Sequence, residues 1–256
     1  MQIDLNADVG ESFGAWVIGR DQQLIPLVSS VNIACGAHAG DPLTIARTIE
    51  LARACGASIG AHPGYPDLAG FGRRDLGMEP RELEASVLYQ VAAVAGMAGA
   101  MGCELRHVKP HGALYNRAAE DMETALAVAR AVRRFSRELR LVGRAGSLLL
   151  DVAGGEGLAV AAEAFADRRY EPDGRLRFRG EADAVLAEPA AAAAQAVAIA
   201  RDGVATATGG DTVHIRADTI CVHGDSPDAP LIAGAVRQAL EGAGLEVAAM
   251  EPAGKP

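Results

Sequence analysis

Residues 105–116 read LRHVKPHGALYN, a short run with strand character over 105–109 that ends in polar residues and leads to a helical pattern over 119–137. The same order of strand, polar end and helix recurs along the chain, and that recurrence decides the fold. Further strands are expected near 2–7, 31–36, 57–62, 139–143, 158–165 and 218–223. Helices are expected near 20–29, 42–55, 80–102, 145–153, 188–201 and 228–242. Seven βα units predict an α/β protein with a ring of parallel strands, a barrel ahead of an open doubly wound sheet, and both place functional groups at the strands' C-terminal ends. Two stretches leave the pattern. Residues 171–187, with the turn Pro172-Asp173-Gly174, read as a short strand pair, and a second excursion surrounds Gly209-Gly210. The alanine run 190–194 lies within a good helix pattern, and no linker or charge block divides the chain, so residues 1–256 read as one domain.

The chain has 24 Lys+Arg against 33 Asp+Glu, a net charge of -9, with 50% hydrophobic residues. Such a chain has too much burial capacity to be disordered, and it lacks the basic stripe or tail that neutralises a nucleic-acid backbone. No apolar run approaches the roughly 20 residues of a spanning helix, and MQIDLNADVGES has neither the basic nor the apolar region of a leader. The expectation is a soluble cytoplasmic protein with no membrane or nucleic-acid role. Cys35, Cys55, Cys103 and Cys221 are far apart and form no CxxC, which predicts reduced, mostly buried thiols. Lys109 and Lys255 are the only lysines, every other basic position being arginine. Lys109 is therefore an exception to the chain's own habit.

The polar strand ends carry the candidate chemistry. In IDLNADVGES, Asn6 and Asp8 share one face of the first strand, Ile3 and Leu5 the other, and Glu11 follows in the loop. VNIACGAHAGDP leads to His38, just before the helix-start signal Asp41-Pro42. Cys35 and His38 form a lone Cys-x-x-His pair, a weak metal signal without a second pair. The third strand ends at His62, and the Gly/Pro-rich loop after it holds Tyr65, Asp67, Arg73 and Arg74, whose arginines suit an anion. His107, Lys109 and His111 alternate and face one side, with Pro110 biasing Lys109 toward extended backbone. EAFADRRY offers Glu163, Asp167 and Arg168. TICVHGD puts His223 and Asp225 on one side of the last strand's end, where a His–Asp pair would set tautomer and pKa. His214, outside these clusters, reads as a surface or hairpin residue. The sole Gly-Lys is Gly254-Lys255, so there is no P-loop, and dinucleotide, GxSxG and HExxH motifs are missing too.

Together IDLNADVGES, VNIACGAHAGDP, GAHPGYPD with GFGRRD, HVKPHGALYN, EAFADRRY and TICVHGD resemble the LamB/YcsF family, in order from residue 3 to 225. A small departure is Gly64, where relatives often carry serine. The resemblance implies a distorted (β/α)7-8 TIM-like barrel similar to the glycoside hydrolase/deacetylase barrels. It implies ATP-dependent opening of 5-oxoproline (pyroglutamate) to glutamate, with ATP as co-substrate and two further subunits, B and C, required. In that setting Asp8, Lys109, His111, His223 and Asp225 are the catalytic candidates, the base being one of Asp8, His111, His223 and Asp225. Asn6, Glu11, His38, Arg73, Glu163 and Arg168 are the binding candidates, with Lys109, then Arg73 and Arg168, expected to hold the substrate carboxylate. A metal-dependent amide hydrolase or a non-catalytic lactam-binding subunit are the alternatives. Analogous barrels hold a divalent metal on a first-strand Asp and later histidines, places that Asp8, His62 and His111 would fill. A homo-oligomer is left open.

Overall fold

A computed structural model describes residues 1–253; Gly254 and Lys255, the only Gly-Lys pair, lie outside the described residues. Seven parallel strands close into a barrel: β1 (Gln2–Val9), β2 (Ser30–Ala34), β3 (Ser58–His62), β4 (Leu105–Val108), β5 (Arg140–Arg144), β6 (Ala159–Phe165) and β9 (Thr219–Val222). Each pairs with the next, and β9 pairs with both β6 and β1 to close the ring. All seven match strands expected from sequence. Between β6 and β9 lies the excursion around Gly209-Gly210, an antiparallel hairpin of β7 (Val204–Thr206) and β8 (Thr212–His214), which carries the exposed His214. A two-residue strand, β10 (Glu246–Val247), borders β1 at Gln2 and Ile3, below the point where β9 takes over at Asp4.

Strand alternation sorts β1 into two faces, both buried. Ile3, Leu5, Ala7 and Val9 join the apolar layer beneath the helices, while Asp4, Asn6 and Asp8 make hydrogen bonds across the interior. The outer ring comprises α1 (Asp21–Leu24), α2 (Pro42–Cys55), α3 (Pro80–Ala100), α4 (Gly112–Ala118), α5 (Met122–Phe135), α6 (Leu148–Gly155), α7 (Pro189–Asp202) and α8 (Ala229–Gly242). Local chemistry sets their ends. The Asp41 side chain accepts from the N–H groups of Leu43 and Thr44, Pro42 opens α2, and Gly56 closes it in the left-handed region.

Three expectations need correction. The helix read over 119–137 is preceded by the separate α4 and begins later, because Asp121 caps α5 by accepting from Thr124 N–H and Oγ1. The helix near 20–29 narrows to α1 plus a 3-10 turn at Ile25–Leu27, where Pro26 cannot donate a backbone hydrogen bond. Residues 171–187 form isolated bridges, Tyr170–Leu176 and Arg168–Val185, in place of a strand pair. Side chains hold that segment: Arg168 donates to the carbonyls of Ala184 and Arg177, and Arg177 bonds Glu171 and Asp183.

The apolar-run reading also falls short at α3, which among the described residues is long and apolar enough by length and composition to span a membrane. Its Leu83, Val87, Val91, Val94 and Ala98 form one buried stripe, as in an amphipathic helix of a barrel. Of the four free thiols only Cys35 and Cys221 are buried; Cys55 is exposed.

Candidate active site

A cavity of about 770 Å³ opens at the C-terminal end of the barrel. Its floor is built from inward-facing residues of five strands and the loops that continue them. Asn6 donates to Glu163 Oε1 (3.0 Å) and Thr219 Oγ1 (2.7 Å), and Asn32 donates to Asn6 Oδ1 (2.7 Å) and Asp8 Oδ1 (2.9 Å). Lys109 Nζ lies 2.8 Å from Asp8 Oδ1, 2.8 Å from Glu163 Oε1 and 3.1 Å from Cys221 Sγ. Tyr115 OH donates to the other Glu163 oxygen at 2.8 Å. The backbone that delivers Lys109 stays extended past β4: the N–H groups of Lys109 and His111 bond Ala61 and Pro63 on the β3 side, and Pro110, without an N–H, falls between them.

Burial works against charge on Lys109, yet Asp8, Cys221 and Glu163 outweigh it and hold its pKa well above the ordinary lysine value. Burial likewise opposes ionisation of Asp8, but His62 and Lys109 keep that carboxyl well below the usual range. An ammonium has three N–H donors, and neighbours inside the protein occupy them all. Lys109 thus organises the floor of the cavity. Glu11 behaves oppositely. Burial, with the charges of Asp8 and Asp225, pushes its pKa well above the carboxylate range, which favours the protonated acid.

Three histidines from successive strand ends meet beside Asp8. His62 Nδ1 is 2.7 Å from the Lys109 carbonyl and His111 Nε2 is 2.8 Å from the Phe71 carbonyl. Carbonyl oxygens only accept, so each of these nitrogens carries its ring's proton when the ring is neutral. The other two, His62 Nε2 and His111 Nδ1, face each other at 3.0 Å. Two lone pairs at that distance repel unless a proton or a cation lies between them. Asp8 Oδ2 is 3.4 Å from His62 Nε2, and Glu11 Oε1 is 3.7 Å from His111 Nδ1. His38 stacks on His111 with centroids 3.9 Å apart, and neither of its buried nitrogens has a hydrogen-bond partner. Burial first, then the neighbouring rings, lower the pKa of His38 well below normal and that of His111 to about 3. Gly64 borders this group: a Cβ there would come within 2.7 Å of His38 Nδ1. Glu11, His38 and His111 each offer a ligand atom within 4.8 Å of the others, so the candidate metal donors extend beyond Asp8, His62 and His111.

On the opposite wall, Asp167 orients His223 through two groups: the backbone N–H of His223 donates to it at 3.0 Å and the ring Nδ1–H at 3.0 and 3.1 Å. The partner expected from the TICVHGD spacing, Asp225, instead receives Arg73 (2.5 Å) and Arg179 (2.8 Å). The chain turns at Gly224, where a Cβ would overlap the Asp8 carbonyl, and Asp225 leaves the His223 side for the rim. Burial resists ionisation of Asp167, but His223 draws its pKa below normal. Arg179 draws the Asp225 pKa to about 2, against the effect of burial.

Of the residues singled out from sequence, Asp8, Glu11, His62, Arg73, Lys109, His111, Arg168, His223 and Asp225 line the cavity. Asn6 and Glu163 lie below Lys109, and His38 lies behind His111. Asp167, offered by EAFADRRY, is the residue that pairs with His223, whereas Asn32, Tyr115 and Arg179 were not among the site candidates. Asn32 shares the polar strand placement of Asn6, so it carried a usable signal. Arg179 carried none, because only the path of 171–187 brings it over the cavity.

Comparison with known proteins adds relatives over nearly the whole chain. The model of the LamB/YcsF family matches residues 3–255. The A subunit of 5-oxoprolinase from Chloroflexus aggregans is 57% identical over 247 residues, 96% of this chain and 98% of that protein. The protein of the same description from Methylococcus capsulatus is 52% identical, over 97% of this chain and 95% of its own. A crystal structure of the Lactam Utilization Protein from Thermus thermophilus superimposes with a TM-score of 0.93 at 47% identity, covering 98% of this chain and 100% of that one. A family 4 carbohydrate esterase from Streptomyces lividans shares the fold, with a TM-score of 0.52 at 12% identity over 98% of this chain and 93% of the other.

Proposed function

Because the chain belongs to the LamB/YcsF family, we propose that it is the A subunit of an ATP-dependent 5-oxoprolinase and that its cavity opens the lactam of 5-oxoproline to L-glutamate. The observation that carries the chemistry is the His223–Asp167 pair on the wall of a polar cavity. A carboxylate that receives Nδ1–H fixes the imidazole tautomer and leaves Nε2 as a base for water, the arrangement by which a histidine is activated in many hydrolases. Among the four candidate bases we therefore choose His223. Asp8 is committed to Lys109, and Asp225 to two arginines. A lactam is a resonance-stabilised amide, so ATP first activates its oxygen by phosphorylation. We assign that step to the companion subunits B and C, in a cytoplasmic complex.

A divalent metal fits the histidine cluster. The facing lone pairs of His62 and His111, the carboxylate of Asp8 and the partnerless nitrogens of His38 form a mixed nitrogen and oxygen donor set that suits zinc or a similar cation. Asp8, His62 and His111 would hold it, with Glu11 and His38 adjacent. When bound, such an ion supplies Lewis-acid polarisation. This donor set favours, as second reading, a metal-dependent amide hydrolase that acts without ATP.

The test is reconstitution. Mixed with subunits B and C, this chain should give 5-oxoproline-dependent release of ADP, phosphate and glutamate, and alone only marginal activity. Full ATP-independent amide hydrolysis by the metal-loaded chain alone would favour the second reading. Turnover by B and C without it would leave the chain a non-catalytic role.

A further inference from the structure

Arg168 is a buried guanidinium without a carboxylate. It is 7% exposed and lines the cavity, its side-chain hydrogen bonds go to the carbonyls of Ala184 (3.3 Å) and Arg177 (2.6 Å), and it forms no salt bridge among the described residues. The nearby Arg73 and Arg179 share a single partner, Asp225. All three arginines line the same cavity, and the Arg168 pKa is lowered first by burial and then by the charge of Arg179. Asp167, its chain neighbour, is turned to His223. In a protein of net charge -9, three guanidiniums thus converge with one carboxylate in direct contact, next to the proposed base.

Desolvating a guanidinium without a counter-charge is costly unless an anion completes the site. A monoanionic carboxylate is satisfied by one bidentate arginine, whereas three forks suit the tetrahedral, doubly charged phosphoryl group. The cavity, at about 770 Å³, also exceeds what a small five-membered lactam fills.

We propose that Arg168, Arg179 and Arg73 form a phosphoryl seat, the subsite of this cavity that holds the phosphoryl group of the activated lactam. The proposal rests on the functional reading above for the identity of the lactam. The reaction that supplies the substrate is a phosphoryl transfer: the γ-phosphoryl of ATP forms a P–O bond with the lactam oxygen, ADP leaves, and the ring N–H proton goes to solvent. In this cavity water adds to the ring carbon, giving one proton to His223 while the ring nitrogen takes a proton from solvent. The C–N bond then breaks with its electron pair moving to nitrogen, and the hydroxyl proton follows. His223 returns its proton to solvent, and the acyl phosphate of glutamate remains. A second water releases inorganic phosphate and glutamate.

Calorimetry of the isolated chain tests the seat with inorganic phosphate, 5-oxoproline and ATP as separate probes. Arg168→Gln and the half-exposed Arg179→Gln should each weaken phosphate binding about ten-fold or more, with 5-oxoproline affinity changed far less. Arg179→Gln keeps the test valid should the Arg168 variant misfold. In the complex with B and C, Arg179→Gln should continue to release ADP while glutamate falls. Phosphate binding unchanged in Arg179→Gln, an equal loss of 5-oxoproline binding, ATP bound through the same arginines, or equal losses of ADP and glutamate would overturn the proposal. A wild-type complex that makes no glutamate would strike the functional reading, and the phosphate-binding comparison would still decide the seat.

Discussion

Lys109 shows how far a single residue can be read before its partners are known. From sequence, a strand-end lysine in an arginine-using chain contributes charge to a polar cavity and little to folding. In the fold it bridges Asp8 and Glu163 at 2.8 Å each and is 2% exposed. Lys109→Met would leave two buried carboxylates facing each other, so a loss of about 3–5 kcal/mol in urea unfolding is expected, comparable to breaking other buried ion pairs. Arginine should not restore it, since a planar fork cannot occupy the place of a compact ammonium. Unfolding midpoints within error of the parent would refute this account of Lys109. Asp167→Asn tests the opposite wall. An amide that donates to Nδ1 reverses the His223 tautomer, and glutamate formation by the complex should fall about 10²- to 10⁴-fold while ADP release persists.

At the scale of elements, β3 and β4 fit together through the absence of a side chain. Gly60 faces His107, and a Cβ there would overlap the imidazole at Nε2. That nitrogen is 2.8 Å from Asn32 Oδ1, so the ring cannot yield without breaking the floor network. Gly60→Ala is expected to cost about 1–3 kcal/mol or more, read as a lowered melting temperature, and a neutral substitution would contradict the close contact. The seven strands were legible because each is a short apolar run between helical patterns. Their closure was legible only as a preference, since pairing of β9 with β1 depends on non-local register. The site was legible by the same rule: polar residues at strand ends converge once the strands are parallel. What sequence could not show were the partners. His223 chose Asp167 over the nearer Asp225 because the chain turns away at Gly224, and Arg179 arrives on a segment without a regular pattern.

For the whole molecule, the buried rings impose a pH dependence. Burial pushes His107 and His111 to about 3, so both are neutral in the fold, whereas in the unfolded chain they take up protons near pH 6.5. Between roughly 6.5 and 3 the unfolded state binds more protons. Stability should therefore be full above the upper value and decline as the solution is acidified, by about 1.4 kcal/mol per pH unit for each ring. Denaturant unfolding at pH 7, 6 and 5 reads this directly, and a flat or rising stability on acidification would contradict it. The charge distribution has a functional counterpart: an acidic chain gathers arginines around one cavity whose wall also holds a carboxylate-oriented histidine. The most direct test of that assembly is glutamate formation by the complex of this chain with B and C, measured for wild type and His223→Ala alongside ADP release. The account predicts a loss of about 10²-fold or more in His223→Ala while ADP release persists; an unchanged rate of glutamate formation would contradict it.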